Sequence, residues 1–162
     1  MKIMVFLQGT ILMHRSGLDQ PREERVRQVL NREKSIYDWA SYVPIGDAVK
    51  KLRKWKAQGV EIIYLSSHVK SEDIRLDEMV LKKHGFPDGT VFFRRDHEEY
   101  KDVAERVRPD ILIEDNCESI GGEKEMTYPH IKPDLQKVIK SVGIQEFDGI
   151  DHLPDEISTL SS

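Results

Sequence analysis

Lys2-Ile3-Met4-Val5-Phe6-Leu7-Gln8-Gly9-Thr10-Ile11-Leu12 runs as an apolar segment, a polar Gln-Gly-Thr break and an apolar resumption. The short apolar run Ile3 to Leu7, ended by Gly9, reads as a first strand. Outward from it, short apolar runs alternate with helical patterns, the signature of βα units and a largely parallel sheet. Val60 to Leu65 is the second strand, leading into Ser66-Ser67-His68. Thr90 to Arg94 is the third, and Asp110 to Glu114 is the fourth.

Between the strands, a helix from about Asp47 sets Ala48, Val49, Leu52 and Trp55 on one face, and Gly59 ends it. Ser71 with Glu72 and Asp73 starts a second helix, which Gly85-Phe86-Pro87 stops. A third, from about Glu98 to Val107, presents Tyr100, Val103, Ala104 and Val107. Beyond Gly121-Gly122 the pattern weakens, with a strand expected near His130-Ile131 and a helix from about Pro133 to Val142. The tail from Phe147 to Ser162 gives little to read.

A length of 162 residues is expected to form one domain, 1–162, with a small helical insertion at about 14–43. Hydrophobic content of 38% and charged content of 33% describe a globule with a very polar surface. The formal net charge of −4 argues against a non-specific nucleic-acid binder. A single Cys excludes an intramolecular disulfide framework. No apolar run approaches the length that spans a bilayer. The N-terminal run superficially resembles a signal peptide, but Gln8, Gly9 and Thr10 interrupt it early without a small-residue cleavage site. The cytoplasm is therefore the expected location.

In open α/β sheets, functional residues gather just beyond the carboxyl ends of the strands. Four places qualify: Phe6 to Thr10, Ser66-Ser67, Lys101 in the helix before the fourth strand, and Glu114-Asp115-Asn116. Their order and context resemble the haloacid dehalogenase (HAD)-like hydrolase superfamily. Its motifs are an Asp-x-Asp-x-Thr after the first strand, a Ser or Thr after the second, a Lys, and an acidic pair after the fourth. The resemblance spans roughly Lys2 to Gly122 and implies an α/β, doubly wound, Rossmann-like parallel sheet with a minimal helical insertion.

It also implies roles. The first Asp would attack phosphorus, and the second would act as general acid and base. By position, Gly9, Thr10, Ser66, Ser67 and Lys101 would bind a phosphorylated small molecule, and Asp115 with Glu114 would face Mg²⁺. This chain departs from the pattern where chemistry begins. Phe6 stands at the nucleophile position and Gln8 at the acid/base position. A benzyl group has no lone pair to attack with, and an amide does not titrate. Mg²⁺ loses a carboxylate ligand, so its binding is expected to be weakened. The expected function is a non-catalytic or regulatory protein of phosphatase fold. Two rivals stand beside it: a hydrolase of small phosphate esters by a rerouted mechanism, and a structural or interaction protein.

Several residues keep two readings. Ser66 and Ser67 are either turn residues or an anion site at a helix N-terminus. Lys101 and Asp115 form either a working site or a structural ion pair. Cys117 is a rescue nucleophile or an inert buried thiol, disfavoured as thiolate by Glu114, Asp115 and Glu118. His14 and His68 both follow the two relevant strands, and they either meet at the pocket or carry no chemical role. Arg22, Arg25, Arg27 and Arg32, interleaved with Glu23, Glu24 and Glu33, form a solvated face or part of a small cap.

Overall fold

The computed structural model describes residues 1–162. Its strands are β1 (Lys2–Phe6), β2 (Leu12–Met13), β3 (Val43–Pro44), β4 (Glu61–Leu65), β5 (Val91–Phe92), β6 (Ile111–Asp115) and β7 (Lys140–Ile144). Its helices are α1 (Arg22–Leu30), α2 (Ala48–Ala57), α3 (Ser71–His84), α4 (Tyr100–Val107), α5 (Pro133–Gln136) and α6 (Ile157–Leu160). Five strands form one parallel sheet in the order β5-β4-β1-β6-β7, with Met4 in register with Ile63 on one side and Leu112 on the other. The chain winds outward from β1 in one direction and then returns to wind in the other. The switch point therefore lies between β1 and β6, where such sheets open a crevice.

Alternation along β1 divides the core. Ile3, Val5 and Leu7 pack on one face with Leu52 and Trp55 of α2 and Val80 and Leu81 of α3. Met4 and Phe6 pack on the other with Val103 and Ala104 of α4 and with Leu112. A central strand buried on both faces must read as a continuous apolar run, and Ile3 to Leu7 does.

The insertion leaves the sheet through β2 and returns through β3, which pair antiparallel. Between them only α1 is an α-helix; Lys34–Tyr37 and Trp39–Ser41 are single 3₁₀ turns. No helix of the chain is long and apolar enough to cross a membrane.

Several expected elements differ. The third strand is only Val91–Phe92. The helix expected from Glu98 starts at Tyr100, because Glu99 and Asp102 form a reciprocal capping box. No strand forms at His130-Ile131; Tyr128–His130 is a 3₁₀ turn whose entry amides are held by Glu114. The helix expected over Pro133 to Val142 stops at Gln136, and Lys140–Ile144 instead pairs along β6 as the edge strand β7. The tail is ordered: Ile150, Ile157 and Leu160 are buried, and the intervening segment is held by Lys51 and Trp55 of α2 and by Gln58 just beyond it.

Candidate functional site

The turn after β1 is built by backbone bonds from the Thr10, Ile11 and Leu12 amides to the Leu7 carbonyl, the last at 3.0 Å. Gly9 sits at φ +87°, and a Cβ there would lie 2.9 Å from Asp115 Oδ2 and 3.2 Å from Glu146 Cγ. Both the left-handed backbone and the close approach require glycine. Thr10 Oγ1 donates to Asp115 Oδ2 at 2.8 Å, and the Cys117 amide donates to Oδ1 at 2.8 Å. Gly9, Thr10 and Asp115 thus come together at the switch point, as the strand-end reading expects.

Gln8 does structural work. Its Oε1 accepts from the Ser67 amide at 2.9 Å and from Ser67 Oγ at 3.0 Å, while Nε2 donates to Asp77 Oδ1 at 3.0 Å. Asp77 Oδ2 accepts from Ser66 Oγ and from His68 Nδ1, the latter at 2.9 Å. Ser66 is fully buried and accepts the His68 amide, so its hydroxyl is committed to holding this turn. His68 lies 4.4 Å from Trp39, ring to ring, and its Nε2 is buried without a partner. His14 belongs elsewhere: its Nε2 donates to Gln28 Oε1 at 2.9 Å, and its ring meets Phe147 edge-on.

Two expected site residues point away from the crevice. Glu114 is buried and accepts the Thr127 and Tyr128 amides at 2.7 and 2.8 Å, which fixes the turn beyond β6. Lys101 is half-buried and pairs with Glu99 at 3.0 Å. The Lys101–Asp115 ion pair is therefore replaced: Lys101 takes its neighbour across the first turn of α4, and Asp115 takes a hydroxyl. Lys101 lines a separate cleft with Arg94, Lys124 and His130.

Beyond the strand ends lies a cavity of about 570 Å³, walled by Phe6, Gln8, Gly9, Ser67, Asp115 and Glu146 at its base and by residues of the insertion above. Phe6 lines this space without filling it; it is 7% exposed and packs edge-on against Tyr100 at 5.0 Å. Glu146, which follows β7, accepts the Ser119 amide and hydroxyl. Burial pushes the Asp115 and Glu146 carboxyls above the usual carboxylate range, partly offset by their hydrogen bonds from Thr10 and from Ser119. Burial, with Asp115 and Glu114 adding to it, also drives the Cys117 thiol well up, which disfavours its thiolate form.

The donor set does not fit Mg²⁺. A carboxylate is missing at Phe6, Glu114 is spent on two amides, and Asp115 accepts a hydroxyl and an amide. No group of three His, Cys, Asp or Glu side chains is placed to share a cation. A hard cation that prefers octahedral oxygen coordination would find Asp115 and Glu146 here already accepting hydrogen bonds from Thr10, Cys117 and Ser119.

Among solved structures, the chain is similar to a class C acid phosphatase from Bacillus anthracis with tungstate bound. The match has 15% identity and a TM-score of 0.51, and covers 88% of this chain and 68% of that one. The fold is HAD-like. A D,D-heptose 1,7-bisphosphate phosphatase from Burkholderia thailandensis also matches, at 10% identity and a TM-score of 0.46, over 91% of this chain and 94% of that one. No protein-family model and no curated protein matches the chain. On the HAD-like fold, the positions of Phe6, Gln8, Ser66 and Asp115 at the ends of β1, β4 and β6 follow from the sheet order. Asp77 and Glu146 were not anticipated. Asp77 had a readable signal, a carboxylate at helical spacing among Ile74, Val80 and Leu81 on the buried face of α3. Glu146 had none until β7 is recognised as a strand.

Proposed function

We propose that this is a phosphatase-fold protein that has lost aspartyl-phosphate chemistry and uses the strand-end cavity to bind a small molecule. The observation that carries the proposal is the fate of the two reacting positions. Phe6 is packed into the core against Tyr100, and Gln8 is spent bridging Ser67 to Asp77. Neither group can accept a phosphoryl group or move a proton. The cavity persists beside them, so the change converts a reacting centre into a binding wall. A phosphorylated ligand would have to do without the Ser66 hydroxyl and would meet Lys101 only in the neighbouring cleft.

Magnesium tests this reading. A cation that binds only the folded protein adds about 2.7 kcal/mol at about 100 times its dissociation constant. The proposal predicts no rise in the thermal unfolding midpoint when Mg²⁺ replaces Na⁺ at equal ionic strength. A clear rise that disappears in Asp115→Asn would overturn it.

A further inference from the structure

We propose that the strand-end cavity takes an organic ammonium ion carrying an apolar body. This rests on the reading of the cavity as a binding site and names what that site selects.

Charge is the first argument. Asp115 and Glu146 are 4% and 3% exposed, both flank Gly9, and Glu125 lines the same cavity. None of the three is in an ion pair. The single cationic side chain lining the cavity is the exposed Arg32. Carboxylates withdrawn from water without a counter-charge are costly, and a bound cation offsets that cost.

The walls are the second argument. Phe6, Tyr37, Trp39, Tyr42, Tyr100 and Phe147 all line the cavity. Aromatic faces attract cations, most strongly where water is excluded, and rings gathered around a pocket recognise alkylammonium groups. One face of Tyr100 is already taken by the Arg94 guanidinium, 4.2 Å from its ring centroid.

The mouth supplies the third. Leu30, Tyr37 and Ile120 are 60%, 55% and 58% exposed, and all three line the cavity. Large apolar side chains left in water at the rim of a pocket suit the apolar part of a ligand whose charged end lies deeper. An anionic ligand would face the carboxylates, and a neutral one would forgo their attraction.

The test uses the intact chain and three benzyl compounds that differ in charge: benzyltrimethylammonium, benzyl alcohol and benzyl phosphate. Binding is followed by fluorescence of Trp39 in the cavity wall. The expected result is that the cation binds at least about tenfold more tightly than the alcohol and that the phosphate does not bind. Glu125→Gln, at a half-buried side chain without an ion-pair partner, should weaken the cation several-fold and leave the alcohol unchanged. Equal or tighter binding of the alcohol or the phosphate would overturn the charge selection while leaving the cavity as a binding site. Silence from all three would overturn this inference and the binding reading together.

Discussion

Glu146 shows how a single buried carboxyl sets the energetics of the cavity wall. It is 3% exposed and accepts from Ser119, and burial raises its affinity for protons above that of an ordinary glutamate, whose value is 4.5. Between that value and the raised one, the folded protein binds more protons than the unfolded chain. The stability Glu146 contributes is therefore fully present below the ordinary value and is lost as pH rises through the folded value. Glu146→Gln removes this dependence. Urea unfolding from about pH 5 to about pH 8 should show the variant gaining stability relative to the parent as pH rises. His14, whose burial lowers its affinity for protons, acts in the opposite sense but is common to both proteins and cancels in the difference. A difference that is flat with pH would mean that Glu146 is not held in a low-dielectric wall.

At the scale of elements, the carboxyl-terminal segment is tied down by α2. Lys51 Nζ donates to the Leu153 carbonyl and Asp155 at 2.6 Å, and Trp55 Nε1 donates to the Pro154 carbonyl at 3.1 Å. These contacts place α6 so that Ile157 and Leu160, at 7% and 5% exposed, join the core. Each such burial stabilises by about 1.5–3 kcal/mol, so ending the chain after Glu156 should cost about 3–6 kcal/mol in urea unfolding. A loss below about 1 kcal/mol would mean that α6 adds no core. The elements also show what was legible. β1, β4 and β6 carry the continuous apolar runs Ile3–Phe6, Ile62–Leu65 and Ile111–Ile113 because both faces of a central strand are covered. β7 was not legible because it is an edge strand with Ser141 and Gly143 in its middle. Its pairing is decided by the neighbouring β6, and no local periodicity announces it. Glu146 was hidden with it. The place of Lys101 along the chain points to the crevice, yet its direction is set by the start of α4 at Tyr100 and by Glu99 beside it.

Across the whole molecule, the HAD-like sheet order brings Gly9, Thr10 and Asp115 to the switch point, while Gln8, Ser66 and Glu114 are held in hydrogen bonds to neighbouring turns and helices. The chemistry of Phe6 and Gln8 alone predicts groups that neither attack phosphorus nor titrate. That Gln8 and Ser66 both serve Asp77 is not legible in the sequence, since it depends on a helix face 69 residues from Gln8. Restoring the two carboxylates would not restore the site, because Glu114 and Lys101 remain turned away. The most direct measurement is steady-state release of phosphate from p-nitrophenyl phosphate with Mg²⁺, for the native chain, Asp115→Asn, Phe6→Ala and Phe6→Asp combined with Gln8→Asp. The account predicts no turnover above background in any of the four. Turnover by the native chain that vanishes in Asp115→Asn but survives Phe6→Ala would contradict it.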